Sequence, residues 1–260
     1  MQTQEPTDTE ASIDPKAGER AYYAEIGADG IEHSRQKPFS DINCGKYLFD
    51  LGALFHLLEP APRSILDFGC GAGWTSILLA RAGYEVLGID ISEQAITIAR
   101  ESALEQGVAR VEFATADYEE FRASKAYDYV LFYDALHHAD NEMKALEAAY
   151  RALRPGGILF AFEPGAGHRT SAGAQKASST YHVHEKDMPP RYIWKLSKKV
   201  GFRRRMYLPT PHRAGKGLYR RDYLRAGTAG RALFERGYGY YRSLMAVLTA
   251  ARSGIIVMWK

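Results

Sequence analysis

Three aspartates and three glycines carry most of the chemistry legible in this chain. Gly69, Gly71 and Gly73 alternate in Asp67-Phe68-Gly69-Cys70-Gly71-Ala72-Gly73-Trp74, a run in which the backbone can turn tightly and approach a ligand with no Cβ in the way. A glycine loop serves dinucleotide binders equally well, so the carboxylates discriminate. Asp67 stands two residues before the first glycine, where it would repel a pyrophosphate and attract an ammonium group. Asp90, 23 residues beyond Asp67, is placed to accept from the hydroxyls of a ribose. Asp117, followed by Tyr118, offers a third acceptor for an amino group such as that of adenine; the plainer reading is a helix cap or a solvated loop residue.

A second group of reactive side chains lies in Phe132-Tyr133-Asp134-Ala135-Leu136-His137-His138-Ala139-Asp140. If a hydroxyl must lose its proton, His137 or His138 is a base of the right type. The alternative is that one histidine bonds locally and the other caps a helix beginning near Asn141. Tyr133 presents an aromatic face suited to a cation. Asp134, His137, His138, Asp140 and Glu163 could all stand near one mouth, but their spacing fits no recognised ligand pattern, so no metal is expected.

These residues need a scaffold, and the chain alternates short aliphatic runs with helical stretches as parallel sheets covered on both faces do. Strands are expected at 64–68, 85–89, 111–115, 127–133 and 158–162, with helices at 74–82, after Ser92, and at 141–153. A helix over 47–58, stopped by Pro60 and Pro62, precedes them. Beyond them come a helix near 191–199, a strand at 202–208, a partly helical segment and a last strand at 254–259. The reactive groups thus fall at strand ends, where open α/β sheets bind ligands. Three carboxylates at three successive strand ends match S-adenosylmethionine, a nucleoside bearing an amino acid.

The 260 residues carry 34 Lys and Arg against 31 Asp and Glu, a near balance that argues against a dedicated nucleic-acid coat. Two cysteines, Cys44 and Cys70, are too few for a disulfide framework, and no apolar run reaches the roughly 20 residues of a membrane span. A cytoplasmic protein is expected. Residues 1–20 are polar and read as a mobile tail before a single domain over 21–260. Residues 165–180 read as a Gly/Ser-rich loop leading to a lid at 181–190, and 22–40 as a segment folding over the ligand. Between Arg203 and Arg225 eight basic side chains stand against Asp222 alone. That stretch suits a phosphate-bearing acceptor, an anionic membrane surface or RNA, or simply protects an edge strand. The apolar run 244–248 reads as a helix packed on the sheet or on a second subunit.

The sequence resembles the class I S-adenosylmethionine-dependent methyltransferases over about 47–208 and the final strand. ILDFGCGAGWTS is similar to their first motif, GIDIS to the second, ATADYEEF to the third, and YDYVLFYDALHHAD with LRPGGILFAFEP to the fourth and fifth. The resemblance implies a doubly wound α/β fold with a mostly parallel seven-stranded sheet, order 3-2-1-4-5-7-6, last strand antiparallel and helices on both faces. It implies S-adenosylmethionine as cofactor, held by Asp67, Gly69, Cys70, Gly71, Gly73, Trp74, Asp90, Ile91, Asp117, Tyr118 and Tyr133. Cys70 is equally a loop filler, and Trp74 equally packs its helix on the sheet. His137 and His138 are the catalytic candidates. The implied reaction is methylation of an oxygen on a small or medium acceptor, with RNA methylation, a non-catalytic cofactor-binding partner and a nicotinamide-dependent reductase as alternatives. Glu185-Lys186-Asp187-Met188-Pro189-Pro190 and Lys37-Pro38-Phe39-Ser40-Asp41 resemble methyltransferases of bacterial surface-polysaccharide clusters, which points to a sugar or glycan precursor. The 209–253 connection, usually a short hairpin in that family, is an insert before the last strand.

Overall fold

A computed structural model describes residues 14–219 and 229–260. In chain order its elements are α1 (Ala17–Glu25), α2 (Gly27–Arg35), α3 (Cys44–Leu57), β1 (Ser64–Phe68), α4 (Trp74–Arg81), β2 (Glu85–Asp90), α5 (Glu93–Glu105), β3 (Val111–Thr115) and β4 (Tyr127–Tyr133). They continue with α6 (Glu142–Ala152), β5 (Leu153–Phe162), α7 (Ala172–Tyr181), α8 (Pro190–Val200), β6 (Arg204–Pro209), α9 (Pro211–Leu218), α10 (Ala229–Leu248), α11 (Ala250–Ser253) and β7 (Gly254–Trp259). The strands form one sheet in the order β3-β2-β1-β4-β5-β7-β6. β1 to β5 run parallel, and β7 is antiparallel to both β5 and β6. The expected topology is therefore the one found.

Alternation along the strands divides the core. Leu66, Phe68, Val130 and Phe132 face one side with α6 and α8, while Ile65, Tyr129, Leu131 and Tyr133 face the other with α3 and α4. Tyr127 sits with the first set because the β4–β5 register shifts between Tyr127 and Tyr129, opposite the Pro155-Gly156-Gly157 turn carried inside β5. Caps fall where composition places them: Ser92 accepts from the Ala95 N–H at the start of α5, Asn141 from the Lys144 N–H at the start of α6, and Pro190 opens α8. The cap of α6 is thus Asn141 itself and neither histidine.

Three expectations change. Residues 14–20 are not a tail: Lys16 and α1 belong to the folded body, because ion pairs described below repay their ordering; residues 1–13 lie outside the described residues. The expected loop at 165–180 contains α7, capped by the Ser171 hydroxyl accepting from the Ala174 N–H. The run 244–248 is helical as expected but ends a longer helix, α10, which packs mainly on α9, where the Ser243 hydroxyl donates to Ala214 O at 2.8 Å, touches the sheet at β6, and leaves Leu244, Val247 and Leu248 exposed. Part of the basic stretch lies outside the described residues. Within them Arg204 and Arg205 lie over the rings of Trp259 and Trp194, and β6 is an edge strand.

Candidate active site

Sheet order reverses between β1 and β4, and there the carboxyl ends of the strands open into a cavity of about 880 Å³. Its floor on one side is the glycine loop. Gly69 and Cys70 donate their N–H groups to Ile89 O, and Gly71 donates to Asp90 Oδ2 at 2.9 Å. Asp90 Oδ1 accepts from the Ser92 N–H at 2.9 Å, so this carboxylate ties the loop to the start of α5. Gly73 has φ +81°, and a Cβ there would lie within 2.8 Å of Phe113 and Ala99. Its missing side chain is what lets α4 and the loop sit against β3 and α5.

Asp67 is wholly buried under the same loop, where Oδ2 accepts from the hydroxyls of Thr75 (2.7 Å) and Ser76 (2.6 Å). Burial pushes its carboxyl up to about 6 against those two hydrogen bonds, and Oδ1 has no protein partner among the described residues. Asp117 and Glu119, beyond β3, share the ammonium of Lys16 at 2.6 and 2.8 Å. α1 is thereby docked beside the loop, with Tyr23 Oη 3.3 Å from the Ala72 N–H it accepts from.

Across the cavity, at the exits of β4 and β5, histidines and carboxylates alternate. Glu163 accepts from the backbone N–H groups of Ala135, Leu136 and His137, and its Oε2 lies 2.7 Å from His137 Nδ1. Burial drives the His137 pKa down to about 3 and pushes that of Glu163 upward, so burial favours a neutral imidazole at this contact over an ion pair. Nε2 of His137 faces Glu185, 3.7 Å away, and Glu185 Oε2 lies 2.5 Å from His168 Nε2. His138 differs from its neighbour. Burial opposes its charge, but Glu19, Glu185 and Glu163 outweigh that and hold it up at about 9, with Glu19 Oε1 at 3.5 Å from Nδ1. Farther along, Asp50 on α3 accepts from Tyr133 Oη and lies 3.1 Å from Nδ1 of His212 on α9.

Residues 65–157 match the family model described as "Methyltransferase domain". The curated relatives it matches include a ubiquinone biosynthesis O-methyltransferase of Bordetella avium, 38% identical over 38% of this chain and 41% of the relative. One from Xanthomonas axonopodis is 36% identical over 40% of this chain and 44% of its own length. The matched segment therefore spans about two fifths of those relatives. Among solved structures, the fold resembles that of Haemonchus contortus phosphoethanolamine N-methyltransferase 2 in complex with S-adenosyl-L-methionine, with TM-score 0.62 and 20% identity, over 92% of this chain and 59% of the other. Residues 65–157 are thus similar to a methyltransferase domain, and they sit in a fold like that of a methyltransferase solved with S-adenosyl-L-methionine.

Gly69, Gly71, Asp90, Ile91, Asp117, Tyr118, Tyr133, His137 and His138 all line the cavity. Asp67, Cys70, Gly73 and Trp74 do not: they act behind the wall. Cys70 is buried, with burial raising its thiol pKa, and Trp74 stands edge-on to Tyr133 and Tyr47. The cradle fits the cofactor, since Gly69, Gly71 and Asp90 stand on the cavity wall and the unpartnered Oδ1 of Asp67 lies buried behind it. Tyr22, Tyr23, His33 and Lys37, from the 22–40 segment, line the cavity. Sequence reasoning missed Lys16, Glu19, Asp50, His168 and His212 as cavity residues. Only Glu185 and the segment around it carried a signal, through the lid expectation, but that segment is anchored: Lys186 Nζ reaches Ala139 O at 2.5 Å and Glu142 Oε1 at 2.9 Å.

Proposed function

We propose that this chain moves a methyl group from S-adenosylmethionine to an oxygen of a small acceptor. When bound, the cofactor supplies an electrophilic methyl on a sulfonium. The protein's part is to orient the two molecules in line and to help the acceptor hydroxyl ionise. One observation carries the choice of oxygen: Glu163 Oε2 lies 2.7 Å from Nδ1 of His137, which leaves Nε2 as the nitrogen that can meet an acceptor hydroxyl, with the Glu163 carboxyl behind the ring to offset the burial that disfavours its charge. Asp90 would hold the ribose, Asp117 the adenine and Asp67 the amino end of the cofactor, the last from behind the loop. Tyr133 and Phe162, stacked with ring centres 5.5 Å apart, and Tyr47 make the acceptor side aromatic, which suits a flat hydroxylated ring. That lining and the names of the relatives favour such an acceptor over a sugar or glycan precursor. Among the described residues no helix is long and apolar enough to cross a membrane.

The test is turnover of a panel of phenolic, sugar and amine acceptors with methyl-labelled cofactor, in the wild type and in His137→Ala. The reading expects label on a phenolic oxygen and a drop in kcat of roughly 10²-fold or more in the variant, with unchanged affinity for S-adenosylhomocysteine. Label only on amines, or full turnover in the variant, overturns it.

A further inference from the structure

The acceptor wall contains a side-chain cluster that hydrogen bonding alone does not explain. His137 Nε2, His168 Nε2 and a Glu185 carboxylate oxygen come from three separate segments, yet their ligand atoms all lie within 4.8 Å of one another. The two imidazole rings meet edge to face with centres 5.1 Å apart. Each segment is independently tied down. His137 is held through Nδ1 by Glu163, itself fixed by three backbone N–H groups. Asp187 accepts from the N–H groups of Gly167 and Arg169 at 2.9 Å each, which clamps the turn bearing His168 against the segment bearing Glu185. Lys186 fastens that same segment to the turn bearing His137. All three residues line the cavity.

We propose that His137, His168 and Glu185 form a binding site for a divalent first-row transition metal ion, with Zn²⁺ as the type ion, at the acceptor end of the cavity. Two imidazole nitrogens and one carboxylate oxygen are the donor set of open zinc sites, in which three protein ligands leave a position for water or substrate. Imidazole donors select such ions over Mg²⁺ or Ca²⁺. The Glu163–His137 contact is the carboxylate–histidine arrangement that fixes the tautomer of a metal-bound imidazole and raises its basicity. Sequence spacing argued against any metal because it considered residues close in the chain; 137, 168 and 185 meet only through the clamps just described.

The site's role, though not its existence, rests on the oxygen-acceptor reading. A cation there lowers the pKa of an acceptor hydroxyl, its proton leaving to bulk water, and replaces direct proton uptake by His137 Nε2.

The experiment is metal binding by the full chain after dialysis against a chelator, with no acceptor present. Zn²⁺ is titrated calorimetrically, and Co²⁺ is added as a visible-absorption probe of nitrogen and oxygen ligation. The expected result is one equivalent of Zn²⁺ bound and a Co²⁺ spectrum that both vanish in His168→Ala and Glu185→Gln. Glu163→Gln should bind the ion about 10- to 100-fold more weakly, as loss of a supporting carboxylate does. Circular dichroism and S-adenosylhomocysteine affinity, measured on the same samples, show that the variants are folded. No stoichiometric binding by the wild type, or equal binding by folded variants, overturns the site and leaves a hydrogen-bonded cluster. Failure of the acceptor panel above would leave this result untouched, so the two readings fail separately.

Discussion

The two walls of the cavity are built on different plans. On the cofactor side the groups that matter are near in sequence: Asp67 is held by Thr75 and Ser76, and Asp90 by Ser92 and the loop at Gly71. On the acceptor side the partners are distant: Asp50 reaches His212 on α9, Glu19 faces His138, Glu163 holds His137, and Glu185 meets His168. A strand-turn-helix unit can specify the first wall locally, and its backbone carries the geometry. The second wall exists only once α1, α7, α8 and α9 have docked, so its histidines take their protonation from whichever carboxylate packing delivers. His137 and His138 show this, adjacent in sequence and driven to opposite sides of neutral.

If the cofactor wall is set by local backbone geometry, the largest damage should come from Gly73→Ala. A methyl there meets Phe113 and Ala99 in a left-handed backbone conformation. Strain and overpacking together should cost about 3 kcal/mol or more of stability in urea unfolding. An effect below about 1 kcal/mol would mean that the loop has slack and the comparison is wrong.

Asp67 sharpens the same point through pH. Its carboxyl is raised from 3.8 to about 6 in the folded chain, so the folded state holds the proton more tightly than the unfolded state does. The stability this contributes is complete below pH 3.8 and is lost as pH rises through about 6, on the order of 2–3 kcal/mol in all. Without cofactor, wild type should therefore lose stability relative to Asp67→Asn between those limits. Parallel stability curves would contradict the burial argument.

Asp90→Ala should weaken binding of S-adenosylhomocysteine by about 1–3 kcal/mol by calorimetry. The structure adds a consequence that the sequence did not suggest: the loop loses its tie through Gly71, so thermal stability falls as well. Unchanged affinity would remove Asp90 from the ribose.

The smallest effect is expected at Lys16→Ala, which breaks a tertiary contact while leaving the loop alone. Release of S-adenosylhomocysteine in stopped flow should quicken, with affinity changing by less than about 1 kcal/mol, because Glu119 keeps the N–H groups of Asp140 and Asn141 as donors and Asp117 keeps that of Glu119. A loss as large as that of Asp90→Ala would show that α1 belongs to the cofactor wall proper.

Much of this contrast was legible in advance. Strands β3, β4 and β7 fall on the expected bounds, because β-branched, aliphatic and aromatic runs flanked by polar or small residues have few other ways to be buried. The sheet order came from the resemblance of the motifs rather than from periodicity. α1 and α7 were not legible, since neither has an apolar stripe: α1 has no fully buried residue and α7 buries only Ala174. Polar contacts of Lys16 and Glu19 to distant segments place α1, and the edge contact of Tyr181 with Tyr22 sets α7 against it; such contacts leave no periodic trace in the chain.

Local chemistry in the sequence was enough to determined the glycine turn, the carboxylates at the ends of β1, β2 and β3, and the parallel strands that carry them. Steric freedom at glycine, caps and strand periodicity all act over a few residues. Tertiary structure alone decided which carboxylate meets which histidine, and therefore which imidazole is neutral and which is charged. Coulombic and desolvation effects depend on distance and burial in space, and only the packed chain defines those.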